Sequence, residues 1–376
     1  MANGSFKTLG GNDIVSTRTL LHEAIPLTGT IVSGTYADAN VKKHSHGMFQ
    51  SVYDYPFLSS SANHIFDITA GVAANSLLYS TVTSQQKKKK NVYGQMAQIL
   101  VGYDITGSVL DFDADGNILA GGDKLREVFI LPMSRLLVKD EIKKETFNLE
   151  IGVKPAYDEA GALFDDRLTI TDHGAASSYF VNSPAGEYGI LYATCSTGQS
   201  SVGSHDVMHA TNQRVACGLI YYQAGIIVVS SSIFKPASAG GILHNSHGSV
   251  LMDGPKGKGV ATETVDAVLT GSLISKAGDN FRTRMYNLSF NNTTELNSTI
   301  YFCRVRHDEF NYSSNPTYLT GSKIRVKQNA TMDPVSYITT IGLYSSANEL
   351  MAVAKLSEPL KKTPSQEFTL RVRLDY

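Results

Sequence analysis

From about residue 150 onward one rhythm recurs: short apolar, β-branched and aromatic runs, separated roughly every ten residues by turn-forming text. The turns read "YDEAG", "TDHGAAS" and "NSPAGEYG"; the runs between them read "GILYATC", "ACGLIYY" and "GIIVVSSSIF". Runs this short, closed this often by Gly, Pro, Asn and Asp, cannot accumulate long helices, and they predict antiparallel strands joined by tight turns. The closing stretch makes the same case with a strict period of two. Phe368, Leu370, Val372, Leu374 and Tyr376 alternate with Thr369, Arg371, Arg373 and Asp375, as expected for a strand with one apolar face. An unpaired strand there would fray, so it is expected to dock in a sheet. Upstream of it, "SYITTIGLYS" and "ELMAVAKLS" predict a hairpin, with Glu358-Pro359 breaking the ladder because proline lacks the N–H.

The fold class expected is therefore mainly β, as sandwich-like antiparallel sheets with a minor helical part. One helix is expected near residues 90–103, in "NVYGQMAQILVGYD", where Val92, Met96, Ile99 and Leu100 fall at helical spacing. Lys87 to Lys90 precede it. Cations are disfavoured in a first helical turn, so the run reads as a solvated or phosphate-facing loop. Three regions follow from composition: a β-rich part with the helix (1–150), a sandwich-like part carrying a Gly/His-rich loop at 236–259 (151–285), and a C-terminal antiparallel part (286–376).

The apolar stretch Cys217 to Phe234 is long enough to suggest a membrane span. Gln223-Ala224-Gly225 interrupts it, however, and β-branched flanks favour two buried strands around a turn. Net charge is −1, so no basic field would gather nucleic acid, and neither nucleic acid nor membrane is an expected partner. Three cysteines, Cys195, Cys217 and Cys303, at wide spacing argue against a disulfide framework. The opening "MANGSFKTLGG" has no charged and apolar leader, and the expectation is maturation in a reducing cytoplasm.

The candidates for chemistry are few. In "DFDADGNIL", Asp111, Asp113 and Asp115 with Gly116 match the first half of an EF-hand loop and could converge on Ca²⁺. Position twelve is Gly122 where a bidentate Glu is required, and the flanks read as strands, so a β-turn is the preferred reading and Ca²⁺ the alternative. His44 and His46, His205 and His209, and His244 and His247 form close pairs. None comes with the further ligands a metal site needs, and all read as solvated loop histidines. "GQSSVG" is not a nucleophile elbow and "GPKGKG" is not a phosphate-binding loop. No catalytic or cofactor-binding residue is assigned, and the chain is expected not to be an enzyme.

Six stretches carry a resemblance: "SVYDYPFLSSSANHIFDITAG" (51–71), "NVYGQMAQILVGYD" (91–104), "SRLLVKDEIKK" (134–144), "NSPAGEYGILYAT" (182–194), "CGLIYYQAGIIVVSSSIF" (217–234), and the segment from Asp333 to Tyr376. Together they resemble virion structural proteins of T4-like, contractile-tailed bacteriophages, particularly those of marine and cyanobacterial hosts. The resemblance implies a non-enzymatic component of tail, neck or baseplate, assembled in the host cytoplasm. Its partners would be copies of itself, in a symmetric ring, and other virion proteins. The residue-level reading is compatible: charged residues are only 18% of the chain and tyrosines number 19, a surface suited to protein contacts. Two alternatives stay open, a host-adsorption or fibre-attachment protein and a tail-associated cell-wall hydrolase.

Overall fold

The computed structural model describes residues 6–26, 38–117, 122–155, 164, 166–195, 214–245, 247–252, 263–313, 315–327 and 329–376. It is mainly β, with 44% strand and 17% helix. The chain forms two compact units: a small one from residues 1–20 and 295–376, and a large one from 21–294. Strand β1 (Ile14–Pro26) is shared between them, as is the 21-residue Met285–Val305 strand. The expected division at 150 falls inside a strand, Asn148–Gly152, and strands from both sides of that point pair with one another. The large unit is therefore not divided at 150.

In the large unit the elements run β2 (Val41–Lys43), β3 (Gln50–Tyr53), β4 (His64–Val72), α1 (Ser84–Leu100), β5 (Glu127–Pro132), β6 (Asn148–Gly152), β7 (Arg167–Thr171), β8 (Gly186–Cys195), β9 (Val215–Tyr221), β10 (Ile226–Ser230), α2 (Val265–Gly271), α3 (Ile274–Thr283) and the first half of β11 (Met285–Val305). Their order across one hydrogen-bonded path is β11-β6-β7-β8-β9-β10-β5-β4-β3-β2, and every pairing along it is antiparallel. The suspected membrane stretch is β9 and β10, joined by a turn in which Gly225 takes φ +66°. No helix among the described residues is long and apolar enough to cross a membrane.

The middle of this sheet is apolar on both faces, which explains why "EVFILP" and "IIVVS" read as continuous apolar runs. Phe129, Leu131, Ile227 and Val229 enter one core with Phe234, Leu269 and Phe281. Val128, Ile130, Leu219 and Val228 enter the other, against Val92, Tyr93, Ala97 and Leu100 of α1. Phe129 stacks on Phe281 of α3 at 4.7 Å between ring centroids. Gly71 lets α1 approach β4 closely: a Cβ there would lie 3.0 Å from the Tyr93 Cβ and 3.1 Å from its Cα.

Two helical expectations are corrected. Helix α1 begins at Ser84, capped by Thr83 accepting from the Gln86 N–H (3.3 Å), and it ends at Leu100. The Lys87 to Lys90 run therefore lies inside the helix, in its first turns, and Ile99 is exposed instead of facing the core. Lys89 is fully buried, and its ammonium donates to the carbonyls of Val268 (3.0 Å) and Leu269 at the end of α2. The carbonyls of a last helical turn run short of intrahelical donors; that of Val268 also accepts from the Ser272 N–H (3.3 Å), and a neighbouring helix adds the cation. Helices α2 and α3 were not expected at all. Within the expected loop at 236–259, Ile242, Leu243, Val250 and Met252 belong to the core.

The small unit is built differently. β14 (Phe368–Asp375) pairs antiparallel with Ser298–Val305 of β11, from Val305 opposite Phe368 to Ser298 opposite Asp375. The expected docking of the last strand thus occurs within the chain. β12 (Ser336–Tyr344) and β13 (Leu350–Lys362) form a two-stranded hairpin. Pro359 does not end it: pairing runs through Thr340 opposite Lys355, skips a bulge, and resumes at Ile338 opposite Leu360.

Candidate functional site

The Asp111, Asp113 and Asp115 segment folds as a short hairpin, with Phe112–Asp113 paired to Lys124–Leu125. Asp113 is buried and receives the Lys124 ammonium. Burial pushes its carboxyl up while Lys124 opposes the shift. Asp115 accepts from the Asn117 backbone N–H (3.2 Å) and side chain (2.7 Å). Asp111 accepts from Asn75 (2.7 Å), with Arg126 3.9 Å away. Asp111 thus turns to its own donors, while Asp113 and Asp115 face one another, with the Asp115 N–H also 3.4 Å from the Asp113 carboxylate. Gly122, with φ +70°, does fold back over the pair: a Cβ on it would lie 3.4 Å from the Asp115 carboxylate and 3.7 Å from that of Asp113. The twelfth position reaches the place a glutamate would occupy but brings only hydrogen. Among the described residues, no three His, Cys, Asp or Glu side chains are grouped to hold a metal.

A second cluster was not visible in the sequence. Ser51 on β3 stands opposite Asp67 on β4, and its hydroxyl donates to the Asp67 carboxylate at 2.6 Å. His64 Nε2 lies 2.9 Å from the same oxygen, and His44 Nε2 lies 3.1 Å from the Ser51 hydroxyl oxygen. His44 stacks on His46, 5.2 Å apart with planes 7° off parallel, and both rings touch Phe49. Desolvation holds the His44 imidazole below its ordinary range, and the neighbouring His46 and Lys42 act in the same direction. His44 is thus drawn into the cluster, while His46 is an exposed turn histidine, as expected. The residue types are those of a nucleophile relay, but the direction is not. In such a relay the serine proton must be able to pass to an imidazole that a carboxylate orients. Here Ser51 gives its proton to Asp67, so His44 Nε2 faces the serine as a donor, and the cluster holds β2, β3 and β4 in register.

The remaining predicted sites divide. His247 is buried, its Nδ1 3.1 Å from the Gly248 carbonyl, and His244 is exposed. His205, His209, "GQSSVG" and "GPKGKG" lie outside the described residues.

The most unusual surface belongs to the small unit. Among its described residues only Val305 and Val372 are buried large hydrophobics. Tyr337, Tyr344, Leu350, Met351 and Val353 of the hairpin are exposed, Met351 at 70%. An open groove of about 1070 Å³ runs beside it, lined by Phe6, Leu9, Tyr301, Ile338, Leu343 and Leu370. No family model, curated protein or solved structure matches the chain.

Proposed function

We propose that this chain is a non-enzymatic structural subunit of a tailed-bacteriophage particle, placed in the tail, neck or baseplate and held there by copies of itself and by neighbouring virion proteins. One observation carries the assembly half of this reading. A unit of about a hundred residues that buries two large hydrophobic side chains lacks the core an independent domain needs. Its apolar groove and hairpin are the kind of exposed patch that marks a protein interface. The phage half rests on the sequence stretches quoted above, whose resemblance runs through both units.

The test is quantitative mass spectrometry of purified particles of the phage that encodes the chain. The reading expects the protein in a fixed whole-number ratio to a tail or neck protein of known copy number. Its absence from particles that are complete and infectious would end the proposal.

A further inference from the structure

Two basic segments of the large unit meet at its surface. The Lys88 ammonium on α1 donates to the His46 carbonyl at 2.9 Å, across 42 residues of chain. That contact joins "KKHSHG", at the end of β2, to "KKKK" in the first turns of α1. Lys42 stands opposite Ser51, on the strand face to which His44 also turns. Lys87 lies between Lys88 and Lys90 around the helix, and both Lys87 and Lys90 are exposed. α1 contains no acidic residue, and its outward side continues from Lys87 through Asn91 and Gln95 to Gln98, about 16 Å along the axis. The nearby carboxylates are engaged elsewhere: Asp279 by Lys43 (2.6 Å) and Arg282 (2.9 Å), Asp67 by Ser51 and His64. Among the described residues, Lys42, Lys87 and Lys90 form no ion pair.

The fold gains nothing from the outer lysines. Cations near a helix N-terminus oppose the macrodipole, and neighbours one turn apart repel. Lys89 is relieved by the end of α2 and Lys88 by the His46 carbonyl, but nothing among the described residues relieves Lys87 and Lys90. A local rule broken without a compensating gain points to function. Beside them the exposed His46 ring is held in one state. Its Nδ1 accepts from the Met48 N–H at 3.0 Å, which puts the proton of the neutral ring on Nε2. The ring stacks on His44 and touches Phe49. Ammonium groups, an imidazole N–H and side-chain amides thus gather as donors on one surface.

We propose that this surface, built on Lys42, His46, Lys87, Lys88 and Lys90, binds the phosphate backbone of nucleic acid without regard to sequence. A phosphodiester chain carries a negative charge at every step, and Lys, Asn and Gln are among the side chains that hold it. The lysines themselves favour this ligand over an acidic protein. Protein interfaces enrich arginine, whose fork matches a carboxylate, and deplete lysine; the patch has no arginine. The net charge of −1 excludes a basic field over the whole chain but not a local one. The patch belongs to the large unit and does not rest on the assembly reading, which rests on the small one.

The test is fluorescence anisotropy of short labelled DNA duplexes titrated with the full-length protein. Binding on the order of 10 μM or tighter is expected at about 50 mM salt, alike for two unrelated sequences, and weaker by about a hundredfold at about 200 mM. The Lys87→Gln/Lys90→Gln variant keeps good helix formers in α1. It should bind about tenfold more weakly or worse at low salt, with a log–log salt slope shallower by about two. Lys355→Gln/Lys361→Gln removes the same charge from exposed positions of β13 and should bind like wild type. Circular dichroism of both variants should match the wild type. The proposal is overturned if no duplex binds at low salt, or if folded Lys87→Gln/Lys90→Gln keeps the wild-type affinity and slope. It is overturned equally if the β13 variant loses as much, which would make total charge the cause. Tighter binding of labelled polyglutamate or of phosphatidylserine vesicles would replace nucleic acid by an acidic polypeptide or a membrane. None of these results bears on whether the chain is present in particles.

Discussion

Lys89 offers the sharpest test of how the large unit is held together. Its ammonium is buried under α2, and desolvation brings its pKa from 10.5 down to about 8. Between those two values the unfolded chain holds a proton that the folded chain has released. Stability therefore rises with pH across that window, because the unfolded state binds more protons there. From pH 7.5 to 9.5 the Lys89 contribution works out at about 2 kcal/mol of added stability. Other groups also titrate in this range, so the quantity to measure is the difference between wild type and Lys89→Met, which keeps the length and removes the titration. Urea unfolding followed by circular dichroism at both pH values gives it. Met removes the Lys89 donor from the Val268 and Leu269 carbonyls, so the variant should be less stable at pH 7.5. The gap between the two proteins should then widen by about 2 kcal/mol at pH 9.5. A gap that does not change with pH would refute a charged, desolvated amine at this position.

Four further outcomes are expected. Asp113→Asn removes the buried carboxylate from the half-buried Lys124 ammonium and should cost about 3 kcal/mol in thermal or urea unfolding, at the low end for a buried ion pair broken on one side. Adding Ca²⁺ or EDTA to the wild type should leave its melting temperature unmoved if the hairpin is only a turn, and a drop with EDTA would instead assign Asp111, Asp113 and Asp115 to Ca²⁺. Gly71→Ala should cost about 1–3 kcal/mol, because its Cβ meets the backbone and Cβ of Tyr93 on α1; a neutral result would mean that α1 shifts freely over β4. Deleting Phe368–Tyr376 removes every partner of Ser298–Val305 on that side, and the product should be insoluble; a soluble, assembling product would deny β14 its structural role.

The strands were legible because their chemistry is local. β9 and β10 announce themselves as β-branched runs around a glycine turn, and β14 by its period of two. Helix α1 was legible in position but not in extent, because the lysine run argued for solvent. That argument considered only α1's own dipole; the end of α2, about 180 residues downstream, is what receives Lys89. Helices α2 and α3 escaped because each is short and mixed in polarity, and their burial comes from the sheet beneath them. Ser51, Asp67 and His64 are separated by strand pairing, not spacing, so only polar residues interrupting the apolar strands "QSVY" and "HIFDITAG" could have drawn attention to them. The hairpin's period was readable in the sequence. Its exposure was not, since alternation alone does not say whether the apolar face is covered by the same chain or another.

That last point is where the account is most directly tested. Hydrogen–deuterium exchange of the full chain, at a dilution where it sediments as a monomer and again where it assembles, measures whether the small unit needs neighbours. The account predicts that amides of Ser336–Lys362 exchange rapidly in the monomer and become protected on assembly, while β9 and β10 stay protected in both. Equal, slow exchange of the hairpin in the monomer would show a unit stable by itself, and would contradict the claim that its apolar surface is there for other chains.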